Sequence, residues 1–408
     1  MNQNHWGWLT GMSSLLLLML LPFSSYIAAL PLIQTEWAMN NTWSSVVFSI
    51  YLVGYALSSL ILVPLTDRFG ARHILLLGAA ILTISNLLFP VLAWNIWVGT
   101  CLRFAAGVGH VGLYIPGVKM VASRFASRGR GTAVGIFVGA GYAGTTLSFT
   151  LMGVLLGLTP SWRIAYFITA SLSLIGLGLA FFLAQEPLAT SKQNVKGRLE
   201  LTVLRSRPLA LVILAYTLHT AELYLARLWF PLLLGAAFMQ QGLSELEATT
   251  QAAFLAGFMF MMGILGVLAG GIFSDAVGRS SGAAVIFAGS GICSLVAGWL
   301  LGLPPLLLII IGFVYGFLLA ADSAVYSTAV TELAPPHMVG SAQAVQSFLG
   351  FAVGAAVPVA AGLILDQIEG TVRWGFAFSL NALIALIGVV ALLWLRRILP
   401  ANTIRRLK

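Results

Sequence analysis

Residues 208–234 read PLALVILAYTLHTAELYLARLWFPLLL, and this stretch decides the class of fold. Its apolar run is longer than the roughly 20 residues that a helix needs to cross a hydrocarbon core of about 30 Å. Its apolar residues do not alternate with polar ones, which excludes the pattern of a transmembrane β-strand. The stretch nevertheless contains His219, Glu222 and Arg227. We therefore predict a membrane-spanning helix that carries ionisable groups inside the bilayer.

Similar apolar runs recur along the whole chain. Of 408 residues, 59% are apolar and only 8% are charged, whereas a soluble domain usually carries about 25% charged residues. A soluble chain with so little charge could not cover its surface, but lipid accommodates apolar side chains that face outward. The sequence predicts an all-α membrane protein with twelve transmembrane helices. The predicted spans are 9–33, 44–66, 74–95, 97–122, 132–158, 163–185, 208–234, 248–273, 281–302, 304–332, 341–365 and 374–396.

One connection between the spans is longer and more polar than the others. It covers residues 186–207, and its cations are Lys192, Lys196, Arg198, Arg205 and Arg207. We predict that this connection is a cytoplasmic linker between two halves. The halves are an N-terminal six-helix bundle, 1–185, and a C-terminal six-helix bundle, 208–408, that ends in a short basic tail.

The distribution of positive charge predicts the orientation in the membrane. With the N-terminus in the cytoplasm, all but four of the 21 lysines and arginines fall in cytoplasmic loops, the linker or the tail. This is the positive-inside pattern, so both termini are expected in the cytoplasm. The net charge of +9 then reflects topology and anionic lipid headgroups. The cations are spread over several loops, which argues against a nucleic-acid partner, and we expect a multi-pass protein of a plasma membrane, most naturally a bacterial inner membrane.

An internal repeat relates the two halves. Three pairs of residues keep nearly the same spacing: Asp67 with Asp275, Gly131 with Gly340, and Arg163 with Arg373, at separations of 208, 209 and 210 positions. A parallel repeat of six spans plus six is a known transporter architecture, in which the substrate site lies near the midplane between the halves. The repeat therefore predicts two pseudo-symmetric bundles and a transport function.

Two loops at repeat-related positions carry the same motif. The first contains Asp67, Arg68, Gly70 and Arg72; the second contains Gly271, Asp275, Gly278 and Arg279. The aspartate can cap a helix or pair with a cation, and the glycine after it permits a tight turn. The first glycine of the second loop permits close approach of helices.

Further motifs lie inside spans 4 and 5. Span 4 contains Arg103-Phe104-Ala105-Ala106-Gly107-Val108-Gly109, and span 5 contains a ladder of glycines at 135, 139, 141 and 144. Together with the two loops, these residues resemble the major facilitator superfamily over the whole chain. The resemblance implies that the loops form a cytoplasmic latch and that the span-4 arginine is linked to proton coupling. It also implies that spans 1, 4, 7 and 10 line a central cavity.

Ionisable groups inside a membrane are costly, roughly 2.5–3.5 kcal/mol on insertion scales, and tend to mark function. The strong cases are Arg103, Glu222, Arg227 and Asp322, joined by His110 and His219. Tyr26 and Tyr216 add polar groups in spans 1 and 7. These eight residues are the predicted substrate and proton-coupling site, although a buried ion-pair network that only fixes helix packing would produce the same pattern.

Roles can be assigned to these groups from their chemistry. Glu222 is the first candidate for a proton carrier, and Asp322 is the second. His219 lies three residues before Glu222 on the same helix face and could share its proton. Arg103 and Arg227 could hold an anionic substrate or neutralise the two acids.

The sequence thus favours a secondary active transporter that moves a small solute, with an organic anion or metabolite slightly preferred, by alternating access and with proton coupling. The alternatives are an uncoupled uniporter or facilitator, or a drug-type exporter of the same fold. A membrane enzyme or sensor is disfavoured because no HExxH, GxSxG, CxxC or phosphate-binding motif is present. Cys101 and Cys293 both fall in apolar runs and suggest no metal site. We expect no cofactor and a monomer.

Overall fold

The structure, a computed structural model, describes residues 3–125, 129–185, 201–335 and 338–399; the side chains at 3, 4, 63, 64, 67, 68 and 201 also lie outside the description. The helices are α1 Gln3–Leu20, α2 Ser25–Ala28, α3 Leu30–Glu36, α4 Asn41–Phe69, α5 Ala71–Leu92, α6 Ile96–Arg124, α7 Arg130–Leu158, α8 Trp162–Leu183, α9 Arg207–Gln240, α10 Glu245–Val277, α11 Arg279–Gly298, α12 Pro305–Ala321, α13 Ser323–Leu333, α14 Val339–Gln367 and α15 Val372–Ile398. The described helices provide 12 segments that are long and apolar enough to cross a membrane. The predicted all-α membrane fold is confirmed.

Two of the predicted spans are interrupted, which the apolar pattern did not indicate. In span 1, α1 ends at Leu20 and a turn precedes α2; Pro22 lies in this turn and has no N–H to continue the helical ladder. In span 10, α12 and α13 are separated by Asp322. A broken helix inside a membrane frees backbone groups, which other groups of the protein must satisfy.

The repeated loops have the same backbone geometry. Gly70 follows α4 with φ 84° and ψ 143°, and Gly278 follows α10 with φ 93° and ψ 145°. Both glycines also cap the helix that comes next, α5 or α11. Side chains with a Cβ rarely adopt such positive φ values. The motif glycines are therefore required by a turn that occurs once in each half.

The chain divides into two compact units. The first comprises Met1–Met39, Val46–Gly197 and Thr249–Gly257. Its helices approach closely where α5 meets α6: a Cβ added to Gly78 would lie 2.4 Å from the carbonyl carbon of Gly112. Small residues allow this approach in a membrane bundle, where packing replaces the hydrophobic effect between helices.

The second unit comprises Asn40–Ser45, Arg198–Ala248 and Phe258–Lys408. Helix α9 packs against both α14 and α15, and most of its side chains are buried, as expected for a helix that is apolar on all sides. The indole N–H of Trp229 in α9 donates to the carbonyl of Pro358 in α14 at 3.0 Å. Residues 186–200 of the predicted linker lie outside the described part of the chain.

Candidate functional site

Arg103 is a deeply buried cation in α6 of the first unit. Its side chain is among the largest that are fully buried, and the residue is 1% exposed. Its guanidinium carbon lies 4.6 Å from the ring centre of Tyr51 and 5.2 Å from that of Tyr26, within cation–π range. Nη1 donates to the carbonyl of Phe23 at 3.4 Å. Among the described residues, Nε and Nη2 have no hydrogen-bond partner.

The interruption of span 1 places the groups around Arg103. Phe23, whose carbonyl Arg103 contacts, lies in the turn between α1 and α2. From α7, the hydroxyl of Ser148 accepts from the N–H of Ser24 at 3.2 Å, and the carbonyl of Thr145 accepts from the hydroxyl of Ser24 at 2.7 Å. The turn is thus held from two sides, by α6 and by α7.

His110 lies two turns beyond Arg103 on α6 and is surrounded by aromatic rings. The ring centre of Tyr55 is 5.0 Å away, and those of Tyr51, Tyr114 and Phe23 are 5.9, 6.0 and 6.2 Å away. Nδ1 of His110 is buried without a hydrogen-bond partner in the described residues. Tyr51 therefore lies between Arg103 and His110 and contacts both.

The motif glycine between these two residues brings Tyr51 into place. A Cβ on Gly107 would lie 2.0 Å from the carbonyl oxygen of Tyr51, so only glycine permits this approach of α4 to α6. We call Phe23, Tyr26, Tyr51, Tyr55, Arg103, His110 and Tyr114 the arginine cluster. Of these seven, the sequence predicted Tyr26, Arg103 and His110, and the other four are aromatic residues that apolar patterning cannot distinguish from core.

Glu222 lies at the centre of a hydrogen-bonded group in the second unit. It is 0% exposed. Ser290 of α11 donates to Oε2 at 3.0 Å, and the hydroxyl of Tyr315 in α12 donates to Oε1 at 3.3 Å. In the described part of the chain, no cation contacts this carboxylate. Of the two roles that the sequence left open for Arg103 and Arg227, neutralisation of Glu222 has no supporting contact among the described residues, and the role of holding an anionic substrate stays a prediction.

Asn381 of α15 joins the same group. Its Nδ2 donates to the hydroxyl oxygen of Tyr315 at 2.9 Å and to the backbone carbonyl of Glu222 at 3.4 Å. We call Glu222, Ser290, Tyr315 and Asn381 the glutamate network. It connects α9, α11, α12 and α15, and three of its four members were missed from the sequence, where a polar residue in an apolar run was the only available signal.

His219 contacts Asp322 rather than Glu222. Its Nδ1 lies 3.0 Å from Oδ1 of Asp322, at an angle that does not make a hydrogen bond, and its Nε2 lies 2.9 Å from the hydroxyl of Ser323. Oδ2 of Asp322 accepts from the hydroxyl of Tyr326 at 2.8 Å. The second candidate acid is therefore held at the break between α12 and α13, next to the histidine that we had assigned to Glu222.

The remaining predicted residues of α9 are more peripheral. The ring of Tyr216 lies 6.2 Å from that of Tyr326 and 6.3 Å from that of His219. Arg227 is buried and its guanidinium lies 5.8 Å from the ring centre of Phe260. These contacts place Tyr216 beside the His219–Asp322 pair and Arg227 against an aromatic face.

The loop motif of the second unit forms an ion-pair group. Arg279 bonds the carboxylate of Asp275 one turn earlier, the hydroxyl of Ser274 at 2.9 Å and the carboxylate of Glu332 at 3.4 Å. Gly271 contributes the carbonyl that accepts from Ser274. In the first loop, Gly70 makes the turn described above and Arg72 is exposed, while the side chains of Asp67 and Arg68 lie outside the described residues.

Comparison with known proteins identifies the family. The model of the Major Facilitator Superfamily matches residues 12–358 and 233–406. The chain belongs to this superfamily. It is 24% identical over 378 residues to the hexuronate transporter of Bacillus subtilis (strain 168), which covers 87% of this chain and 86% of that protein. It is also 33% identical over 180 residues to the multidrug resistance protein MdtG of Salmonella paratyphi C, covering 42% of this chain and 44% of that protein.

Solved structures show the same fold at low identity. The nucleoside transporter NupG superposes with a TM-score of 0.75 at 14% identity, over 96% of this chain and 99% of that one. A bacterial homologue of the human lysosomal transporter Spinster, in an inward-facing and occupied conformation, superposes with a TM-score of 0.77 at 13% identity, over 98% of both chains. The superfamily member described here is thus a multi-pass membrane protein and a transporter of small solutes. Its described residues contain no group of three or more His, Cys, Asp or Glu that could hold a metal ion.

Proposed function

We propose that this superfamily member is a proton-coupled transporter of small organic anions, with carboxylated sugars of the hexuronate type as the favoured substrates. It would work by alternating access, as a monomer in a bacterial plasma membrane with both termini in the cytoplasm. The observation that carries the proposal is Arg103, a buried cation that bonds a carbonyl and lies over two aromatic rings, with no carboxylate bonded to it among the described residues.

A buried guanidinium without an anion carries a large desolvation cost. Two of its nitrogens, Nε and Nη2, retain donors without a partner. These two atoms lie on one edge of the planar guanidinium, and that edge matches the two oxygens of a carboxylate in a bidentate pair. A carboxylate substrate would therefore satisfy both donors and compensate the charge.

The rest of the arginine cluster suits a ring-shaped substrate. Tyr51, Tyr55 and Tyr114 surround His110, and His110 and Tyr114 are only partly buried. Aromatic faces pack against apolar faces, while the hydroxyl and imidazole groups offer hydrogen bonds to a substrate. The similarity to a hexuronate transporter over 87% of the chain favours the same substrate class.

Glu222 is the proposed proton carrier. Burial of an ionised carboxylate without a cation is strongly unfavourable, so a conformation in which Glu222 is enclosed favours its protonated form. A conformation that wets the carboxylate would release the proton. This difference between conformations is what couples a proton gradient to an alternating-access cycle.

The test is transport by the purified protein in liposomes. We expect uptake of a radiolabelled hexuronate above its equilibrium level when an inward proton gradient is imposed, and competition by the unlabelled hexuronate but not by the corresponding neutral hexose. Uptake that ignores the gradient would identify a uniporter. Competition by a lipophilic cation instead of the sugar acid would favour a drug-type exporter, to which the partial similarity to MdtG points.

A further inference from the structure

Ser290 has one hydroxyl proton and two acceptors at the same distance. Its Oγ lies 3.0 Å from Oε2 of Glu222 and 3.0 Å from the backbone carbonyl of Phe287. One proton can serve only one of these oxygens at a time. The residue is 2% exposed, so a solvent molecule cannot readily replace the missing bond. The direction of this hydroxyl must therefore depend on the state of its neighbours.

The other side of the carboxylate offers no such choice. The carbonyl of Glu222 can only accept, so the atom of Asn381 that faces it at 3.4 Å must be the amide nitrogen. The same nitrogen donates to the hydroxyl oxygen of Tyr315 at 2.9 Å. The hydroxyl of Tyr315 therefore does not donate to Asn381 and donates to Oε1 of Glu222 at 3.3 Å, while Ser294, its other polar neighbour, directs its own proton to the carbonyl of Phe378. Oε1 is held as an acceptor.

These contacts define two consistent arrangements that differ only in hydrogens. When Glu222 is ionised, Ser290 donates to Oε2 and Tyr315 donates to Oε1. When Glu222 is protonated, the proton resides on Oε2 and is donated to Oγ of Ser290, whose own proton turns to the carbonyl of Phe287. In both arrangements every polar hydrogen of the three side chains has an acceptor, and no heavy atom has to move.

We propose that Ser290 is a positioning residue for proton coupling: its hydroxyl directs the transported proton to Oε2 of Glu222 and reverses direction each time that proton is gained or lost. The inference rests on the proposed role of Glu222 as the proton carrier. Asn381 and Tyr315 keep the direction of the hydrogen bond to Oε1 of Glu222 the same in both states. The consequence is that a fully buried carboxyl can change its protonation state without leaving a donor unsatisfied.

Removal of the Ser290 hydroxyl should shift the protonation equilibrium of Glu222 in one direction. Hydrogen bonds to ionised groups are stronger than those between neutral groups. Ser290→Ala therefore destabilises the ionised form of Glu222 more than the protonated form. The pH at which Glu222 is half protonated should rise by about one unit, and Ser290→Thr, which keeps the hydroxyl, should restore the wild-type value.

The measurement is infrared difference spectroscopy on the full-length protein in liposomes as the pH is varied. The carbonyl stretch of the protonated carboxyl is assigned to Glu222 by its loss in Glu222→Gln. In the wild type we expect the low frequency and the deuterium shift of a carboxyl that donates a hydrogen bond. In Ser290→Ala the band should move to higher frequency and its midpoint to higher pH.

A matched control is Ser173→Ala. Ser173 is a buried serine of α8 that bonds the carbonyl three residues earlier, Ala170, at 2.6 Å, as Ser290 does with Phe287, but it lies in the first unit. The Ser173→Ala variant should leave the frequency and the midpoint of the Glu222 band unchanged. A Glu222 band with the same frequency and midpoint in Ser290→Ala overturns the inference while leaving Glu222 as the carrier.

The role of Glu222 as the proton carrier can be tested separately from the role of Ser290. If Glu222→Gln removes no band and still accumulates substrate against its gradient, the carrier assignment and the role of Ser290 are both wrong. Should Ser290→Ala not fold, the wild-type spectrum still decides: a deuterium shift no larger than that of a carboxyl that donates no hydrogen bond contradicts donation from Oε2 to Ser290.

Discussion

Nδ1 of His219 lies 3.0 Å from Oδ1 of Asp322, at the point where α12 ends and α13 begins. Both side chains are buried. The pair connects the middle of α9 to the break in span 10, and Ser323 and Tyr326 hold its two outer ends. The histidine therefore stabilises the point at which span 10 is interrupted.

Residues in contact are energetically coupled, so the effects of substituting His219 and Asp322 on the free energy of unfolding should not be additive. We expect His219→Asn and Asp322→Asn each to lower stability, and the double variant to depart from the sum by about 0.5–3 kcal/mol. The free energy of unfolding in detergent is the quantity to compare. His219→Asn combined with Glu247→Gln, a residue that caps the first turn of α10, should be additive to within about 0.5 kcal/mol; additivity in the first pair would contradict the contact.

Binding of anionic substrates should require the guanidinium group of Arg103, and a positive charge alone should not replace it. Arg103→Lys keeps the cation but loses the planar fork, so we expect the apparent affinity for a hexuronate to fall by at least tenfold, and Arg103→Gln to abolish uptake. The measurement is the concentration dependence of uptake in liposomes. Arg124→Lys is the control, because Arg124 also lies over an aromatic ring, that of Trp8, but at the end of α6. Equal losses in the two lysine variants would argue against a substrate role.

Glu222→Gln should separate exchange from accumulation. Glutamine keeps the shape and imitates the protonated carboxyl, with one oxygen that accepts and a nitrogen that donates, but it cannot release a proton, so exchange of internal for external substrate should persist while uptake driven by a pH gradient is lost. Both rates are measured on the same liposomes. Asp322→Asn is the comparison: loss of accumulation there, with Glu222→Gln unaffected, would transfer the carrier role to the second acid.

Gly107→Ala should disrupt the arginine cluster by separating α4 from α6. The added Cβ would meet the carbonyl oxygen of Tyr51 at 2.0 Å, so α4 must shift and the cation–π contact of Arg103 with Tyr51 must weaken. We expect a loss of stability of about 1–3 kcal/mol and weaker substrate binding. Gly135→Ala, in helix α7 with nothing within 4 Å of the new Cβ, should be neutral or stabilising because alanine favours a helix. Binding that survives Gly107→Ala unchanged would contradict the close approach as the basis of the cluster.

Much of the architecture was accessible from local pattern. Length and apolar character predict the spans, and the repeated glycines at 70 and 278 predict two equivalent turns, because both depend on residues close together in the sequence. The interruptions at Pro22 and Asp322 were missed, since an apolar run is equally compatible with a continuous and a broken helix.

Partners across helices were the least predictable part of the site. Helical spacing brings His219 and Glu222 to one face, but it does not show which neighbouring helix supplies the closer acid, and Asp322 from span 10 does so. Tyr315 and Asn381 are polar residues in apolar runs, but nothing local identifies Glu222 as their partner, because that relation depends on the packing of three helices. The buried position of Arg103 could be inferred from its span, whereas its aromatic surroundings could not.

The arginine cluster lies wholly within the first unit and the glutamate network wholly within the second. No residue is shared between them, so a substitution that remodels the aromatic rings need not alter the bonds of Glu222, Ser290 and Asn381. With the two roles proposed above, selection for a new substrate could act on the arginine cluster while proton coupling by the glutamate network is inherited unchanged. Such separation would let related chains diverge in substrate specificity while they keep the same coupling mechanism.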